Sequence, residues 1–221
     1  MSDTATSLGS PTHLPAGATM TSIDAVTLDV PDPAAAEAFY AAAFGLGDKL
    51  RLRAADAPTS GFRGFTLSLI VAQPANADAL ISAALGAGAT ALKPAKKSLW
   101  GYGGVLCAPD GTIWKVATSS KKNTVPATRE IEQVVLLLGA TDVAATKRFY
   151  VEHGLTVGKS FGRKYVEFEA PSAAIKLGLY GRRALAKDAG VAPDGTGSHR
   201  IAISSVAGAF TDPDGFEWAA A

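Results

Sequence analysis

A chain of 221 residues, 48% hydrophobic and 19% charged, has the composition of a folded protein with a sizeable core and room for one large or two small domains. Its 21 basic and 20 acidic residues are mixed along the sequence and sum to a formal charge of +1, which excludes the basic bias that counterion-driven nucleic-acid binding requires. No apolar run approaches the ~18 residues of a membrane span, and the lone cysteine, Cys107, cannot close an internal disulfide. A reducing cytoplasm is therefore expected, with a small molecule or a second copy of the chain (a homodimer) as partner, and neither nucleic acid nor membrane.

Residues 1–21, rich in Ser, Thr, Pro, Gly and Ala and without periodicity, read as a disordered leader, with Met20 an alternative start. Ile23 opens the first predicted element, where "IDAVTLDV" alternates as a half-buried strand does. In "PDPAAAEAFYAAAFG", Asp32 is placed to cap a helix whose first position is Pro33. Ala36, Phe39, Tyr40, Ala43 and Phe44 then recur at helical spacing up to Gly45. Short strand candidates follow in "KLRLRA", "GFRGF" and "TLSLIVA", split by the turn-like "DAPTSG". "QPANADALISAALGAGA" reads as a second helix, capped near Asn76 and stopped by Gly86 and Gly88.

The chain returns through "LWGYGGVLCA", whose apolar Val105 and Leu106 mark Cys107 as a buried thiol in a strand. "WGYGG" lacks the following helix of a phosphate loop, and its glycines fit a turn or bulge. Trp100 and Tyr102 would share a face if this segment is extended, lining an aromatic pocket or capping the core. A Pro-Asp-Gly turn then leads into the strand "TIWKVAT". Residues 120–129, polar and Pro-containing, read as a linker between a module at 22–119 and another at 130–221.

Beyond the linker the pattern restarts. "IEQVVLLLGA" is a strand, and "TDVAATKRFYVEHG" a helix with Asp142 at its cap and Gly154 at its end. His153 there suits a helix C-terminus. "FY" and "PDG-x-x-W" recur in the same order, with Phe39 to Phe149 spaced by 110 residues and Asp110 to Asp214 by 104, which indicates an internal repeat. From Leu67 to Asp110 is 43 residues, whereas Ile201 to Asp214 is only 13, so the second module is expected to lack a crossover helix and the strand after it. The stretch "GLYGRRALAKDAGV" adds a basic helical turn or two, whose Arg182, Arg183 and Lys187 read as a solvated face.

Together, "IDAVTLDVPDPAAAEAFY" and "APDGTIWKV", both repeated, resemble the vicinal-oxygen-chelate superfamily of glyoxalase I, extradiol dioxygenases and bleomycin-resistance proteins. The resemblance covers about residues 22–221 and implies an α+β fold. Two βαβββ modules, the second shortened, would pair into an incomplete barrel around a cleft. It also implies a divalent metal held by a His or Gln on the first strand of a module and a Glu on the last, after the Pro-Asp-Gly turn.

Against that pattern, the first-strand positions here are Ala25 and either Gln133, if the strand carries a bulge, or Val135, and the last-strand positions are Lys115 and Ala219. A Gln133/His199 pair is the remaining metal option, and two neutral ligands without a carboxylate bind such ions weakly. An ammonium at Lys115 would repel a divalent cation by several kcal/mol, on the order of 4 kcal/mol per unit-charge pair at modest dielectric. No cofactor is therefore expected. The sequence supports a metal-free protein that binds a small apolar or aromatic molecule in a cleft formed by Ala25, Trp100, Tyr102, Lys115, Gln133, Tyr165, His199 and Ala219. The alternative is an enzyme of the superfamily (lyase, isomerase or dioxygenase), acting through Lys115, His199 or Tyr165 or with a non-standard metal site.

Overall fold

The computed structural model describes residues 22–56, 59–171, 174–196 and 199–221, so the expected leader lies outside the described residues. β1 (Ile23–Val30) alternates between buried Val26, Leu28 and Val30 on one face and Ala25, Thr27 and Asp29 on the other. α1 (Pro33–Ala43) starts where the sequence placed it, with the Asp32 carboxylate accepting from the Ala35 amide at 3.0 Å. A 3-10 turn (Gly47–Lys49) leads to β2 (Leu50–Ala54), β3 (Ser60–Gly61) and β4 (Phe65–Ile70). α2 (Pro74–Gly86) is capped at Gln73 rather than near Asn76, because Pro74 takes the first helical position. Then come β5 (Thr90–Ser98), β6 (Gly101–Cys107), β7 (Ile113–Thr118), β8 (Gln133–Ala140) and α3 (Val143–Glu152), capped by Asp142. β9 (Val157–Ser160), β10 (Tyr165–Phe168), β11 (Lys176–Gly181) and α4 (Arg182–Ala189) follow. β12 (Gly195–Thr196), β13 (Ile201–Ser205), β14 (Phe210–Thr211) and β15 (Glu217–Ala220) complete the described chain.

The strands assemble into two principal sheets, one eight-stranded with order β5-β6-β7-β4-β8-β11-β10-β9 and one five-stranded with order β14-β15-β13-β1-β2. Two complete βαβββ units, β4-α2-β5-β6-β7 and β8-α3-β9-β10-β11, make the larger sheet and meet where β4 and β8 pair antiparallel. The smaller sheet joins β1-α1-β2 to the C-terminal strands, with β1 antiparallel to β13. Each half recognised in the sequence thus contains one complete unit and part of another. Between β13 and β15 there is only β14 and no helix, in accord with the 13-residue spacing from Ile201 to Asp214.

One face of each sheet shares a core with the first three helices, built from Leu67, Leu69, Leu136, Leu138, Val26, Leu28, Ile203 and the buried aromatics Trp114 and Tyr150. The linker is strapped to the start of α2. Gln73 Oε1 accepts from the Thr124 amide at 2.8 Å, and Asn76 Oδ1 accepts from the Thr128 amide at 3.0 Å. Cys107 is half-buried in β6, and burial pushes its thiol up.

Candidate ligand-binding cleft

The repeated Pro-Asp-Gly phrase proves to be a tether. Gly111 and Gly215 adopt φ of +85° and +89°, the left-handed conformation in which a glycine is unstrained, and each turn presents acidic side chains to a helix. The Tyr40 hydroxyl of α1 donates to Asp110 Oδ2 at 2.8 Å. In the other half, the Tyr150 hydroxyl of α3 donates to Asp212, two residues ahead of the aspartate that matches Asp110, while Asp214 accepts from Thr146 Oγ1 at 2.7 Å. These contacts fix the directions in which β7 and β15 leave their turns, and so the faces their alternate residues present.

On β7 the residues opposite Trp114 and Val116 are Lys115 and Ala117, and they look onto the face of the eight-stranded sheet away from the core. In register across this face stand Lys115, Ser68, Val135 and Lys176, one from each of β7, β4, β8 and β11. These are the last and first strands of both complete units. The next row holds Gly103, Ala117, Ile70 and Gln133.

α4 covers the other end of the same face, burying Leu185, Ala186 and Ala189 against Leu137, Val105 and Ile113. Its expected solvated face is therefore only partial. Arg182 lies 5.3 Å over the Phe62 ring and donates to Phe62 O at 2.8 Å, whereas Arg183 and Lys187 are exposed. A helix eight residues long with three apolar residues on one side buries that side wherever an apolar face is left open.

What α4 leaves open is a cleft of about 390 Å³ lined by Ser68, Ile70, Lys115, Gln133, Val135 and Tyr165 among others. It continues past Lys115 into a second compartment of about 310 Å³ toward Trp100 and Tyr102. The Tyr165 and Tyr180 rings lie 4.8 Å apart at one wall. The two residues are cross-strand partners on β10 and β11, and the Tyr165 ring has room over Gly178, where a Cβ would meet Leu137 Cδ2 at 2.8 Å and the Tyr165 ring at 3.3 Å. The Tyr165 hydroxyl donates to Glu167 Oε2 at 2.9 Å, and Lys176 Nζ stands 3.3 Å from Glu167 Oε1. Burial, together with that carboxylate, holds the Tyr165 phenol well above its ordinary range, so it remains a protonated donor. Lys115 Nζ is 2.9 Å from Asp188 Oδ2 at the end of α4. Gln133 donates through Nε2 to Ala174 O at 2.7 Å. Ser68 is only 4% exposed, and among the described residues its Oγ has no hydrogen-bond partner.

The structure thus brings Lys115, Gln133 and Tyr165 to one cleft, with Trp100 and Tyr102 in its second compartment. Trp100 lies in the turn before β6 and is 85% exposed, while the Tyr102 hydroxyl donates to Asp78 at 2.6 Å; both line the second compartment, although the strand begins only at Gly101. Ala25 and Ala219 lie elsewhere, flanking Ser204 in the five-stranded sheet, with Ala25 only 1% exposed. They were expected beside Lys115, but the unit that contains Lys115 begins at β4 and not at β1. His199 sits against the Phe216 ring, 4.0 Å away, with Nδ1 3.1 Å from Gly215 O, and burial holds its imidazole below the ordinary value.

Ser68 and Lys176 were missed by sequence reasoning. The signal for Ser68 was present, since "TLSLIVA" followed by a helix has the strand-helix order that opens a unit.

A divalent metal fits these residues poorly. Among the described residues no three His, Cys, Asp or Glu side chains come together as a metal-binding group. Glu167, a carboxylate of the cleft wall, is already engaged by Tyr165 and Lys176. Ammonium groups occupy two of the four central positions, where hard cations require oxygen donors.

No protein-family model and no curated protein matches the chain. Among solved structures, glyoxalase I from Zea mays superposes with a TM-score of 0.60 at 15% identity, covering 90% of this chain and 91% of that one. A mutant of the same maize enzyme gives 0.56 at 13% identity, over 90% and 92% of the two chains. A Bacillus subtilis strain 168 protein, provisionally described as a dioxygenase, gives 0.52 at 13% identity, over 83% of this chain and 69% of that one. No helix is long and apolar enough to cross a membrane among the described residues. The chain therefore has the glyoxalase-type fold of the vicinal-oxygen-chelate proteins.

Proposed function

We propose that the protein binds a small, largely apolar or aromatic molecule in the cleft of the eight-stranded sheet, without a metal ion. The observation that carries this reading is the in-register row Lys115, Ser68, Val135 and Lys176. On this fold the first and last strands of paired units are where resemblance leads one to look for metal ligands, and here they offer two cations, a hydroxyl and a methyl-bearing side chain. Around the row lie Ile70, Leu137 and the two tyrosine rings, the mix of apolar walls and few polar contacts that small-molecule pockets use.

The catalytic candidates are otherwise engaged. Lys115 is ion-paired, the Tyr165 hydroxyl is donated to Glu167, and His199 packs against Phe216 outside the residues that line the cleft. Binding is therefore favoured over turnover. Metal analysis of the purified protein together with calorimetric titration tests the proposal. No stoichiometric Zn, Ni, Fe or Mn is expected, and one tightly held ion per chain would overturn the metal-free reading and restore a metal-dependent enzyme.

A further inference from the structure

The cleft has a chemical bias beyond its apolar walls. Its two compartments are lined by Lys93, Lys96, Lys115 and Lys176 against the two carboxylates Asp188 and Glu167, a surplus of positive charge that favours entry of an anion. Lys115 lines both compartments, and it already holds a carboxylate, that of Asp188, at 2.9 Å. One strand away, about 4.8 Å in a sheet, is Ser68. Its buried hydroxyl has no partner among the described residues, and a buried hydroxyl without a partner is destabilising unless something binds it.

Asp188 is positioned from outside the sheet. It belongs to α4, whose last turn is gripped by Lys93 Nζ donating to Lys187 O at 2.8 Å and Asp188 O at 2.6 Å. On the far side of Ser68, Val135 and the Tyr165–Tyr180 pair offer flat apolar surface, with Ile70 next along β4.

We infer that the ligand of this cleft is a flat carboxylate, an aromatic acid in chemical class, whose carboxylate displaces Asp188 from Lys115 and accepts a hydrogen bond from Ser68 Oγ while its ring lies toward Tyr165 and Tyr180. This inference rests on the small-molecule reading above and adds the charge and shape of the ligand. Asp188 acts as an internal occupant of the Lys115 subsite, released when an external carboxylate enters.

The test uses three probes of nearly one shape and different charge: benzoate, benzamide and benzamidine. Each is titrated into the full-length protein and followed by NMR shifts of the cleft residues, which suits the weak affinities of such small molecules. Benzoate is expected to bind at least about fivefold more tightly than benzamide, with benzamidine weakest, in line with loss or reversal of one charge-assisted contact. Lys115→Met should weaken benzoate roughly tenfold and leave benzamide within about twofold, the loss expected for a charged hydrogen bond.

Asp188→Asn should tighten benzoate by removing the internal competitor, an effect that a merely misfolded variant would not produce. Ser68→Ala should weaken benzoate severalfold with no loss of stability. Equal binding of benzoate and benzamide, strongest binding of benzamidine, or insensitivity of benzoate to Lys115→Met would overturn the carboxylate class and leave the cleft reading intact. If none of the three probes shifts the cleft residues, the binding reading fails with it.

Discussion

Among single residues, His199 ties the stability of the fold to pH. His199 is half-buried against Phe216, and burial is the main cause of its lowered pKa, which the contact with Gly215 O only partly offsets. An unfolded histidine takes up a proton near pH 6.5, and the folded chain does so only at lower pH. The stability it contributes is thus fully present above the unfolded value and is lost as pH falls through the folded one. Thermal denaturation at about pH 7 and about pH 5, either side of the unfolded pKa, is expected to show a smaller drop for His199→Gln than for the unaltered chain. An equal drop in both would show that His199 titrates normally in the fold.

At the scale of elements, α4 decides which part of the large sheet remains a cleft, by burying Leu137 and Ile113 beneath Leu185 and Ala189. The five-stranded sheet differs. Its outward row is Ala25, Ser204 and Ala219, bordered by the Arg53–Asp29 ion pair at 2.7 Å, and Ala25 has almost no exposed surface. Introducing a large side chain there has to displace neighbouring atoms. Ala25→Trp is expected to destabilise the protein by about 1–3 kcal/mol in urea denaturation, the cost typical of overpacking. In the folded fraction it should leave binding to the Lys115 cleft unchanged. Retained stability combined with lost binding would instead return Ala25 to the site.

At the scale of the whole molecule, the two sheets are held in place by the tyrosine-aspartate tethers. α1 belongs with the smaller sheet and reaches Asp110 in the larger one, while α3 belongs with the larger sheet and reaches Asp212 in the smaller one. The second tether is the more deeply buried. Asp212 also accepts from the Asp214 and Phe216 amides at 2.9 and 2.8 Å, and burial raises its pKa. Removing one hydroxyl from a buried carboxylate leaves it short of a donor. Tyr150→Phe is accordingly expected to destabilise by about 1–3 kcal/mol, and Tyr40→Phe by less, because Asp110 is only partly buried. Equilibrium denaturation of the two variants compares them, and a larger loss in Tyr40→Phe would contradict the ranking.

Much of this architecture was legible in the sequence because it depends on local chemistry. Asp32 and Asp142 cap helices through their own backbone neighbourhood, and the repeated Pro-Asp-Gly turns demand glycine at positive φ wherever they occur. The short spacing from Ile201 to Asp214 likewise left too little chain for a crossover helix. The cleft was legible only in part. Lys115, Gln133 and Val135 were named because the turn and the strand identify them, but Ser68 and Lys176, which stand in register with Lys115 and Val135, come from strands that pair across 47 and 41 residues of chain. Ala25 was misplaced for the same reason: strand identity is local, whereas strand partnership is chosen by which apolar faces can be buried together. Local sequence set most of the elements and the caps of α1 and α3, whereas packing between distant strands placed β4 rather than β1 beside β7, and so chose which side chains share the cleft.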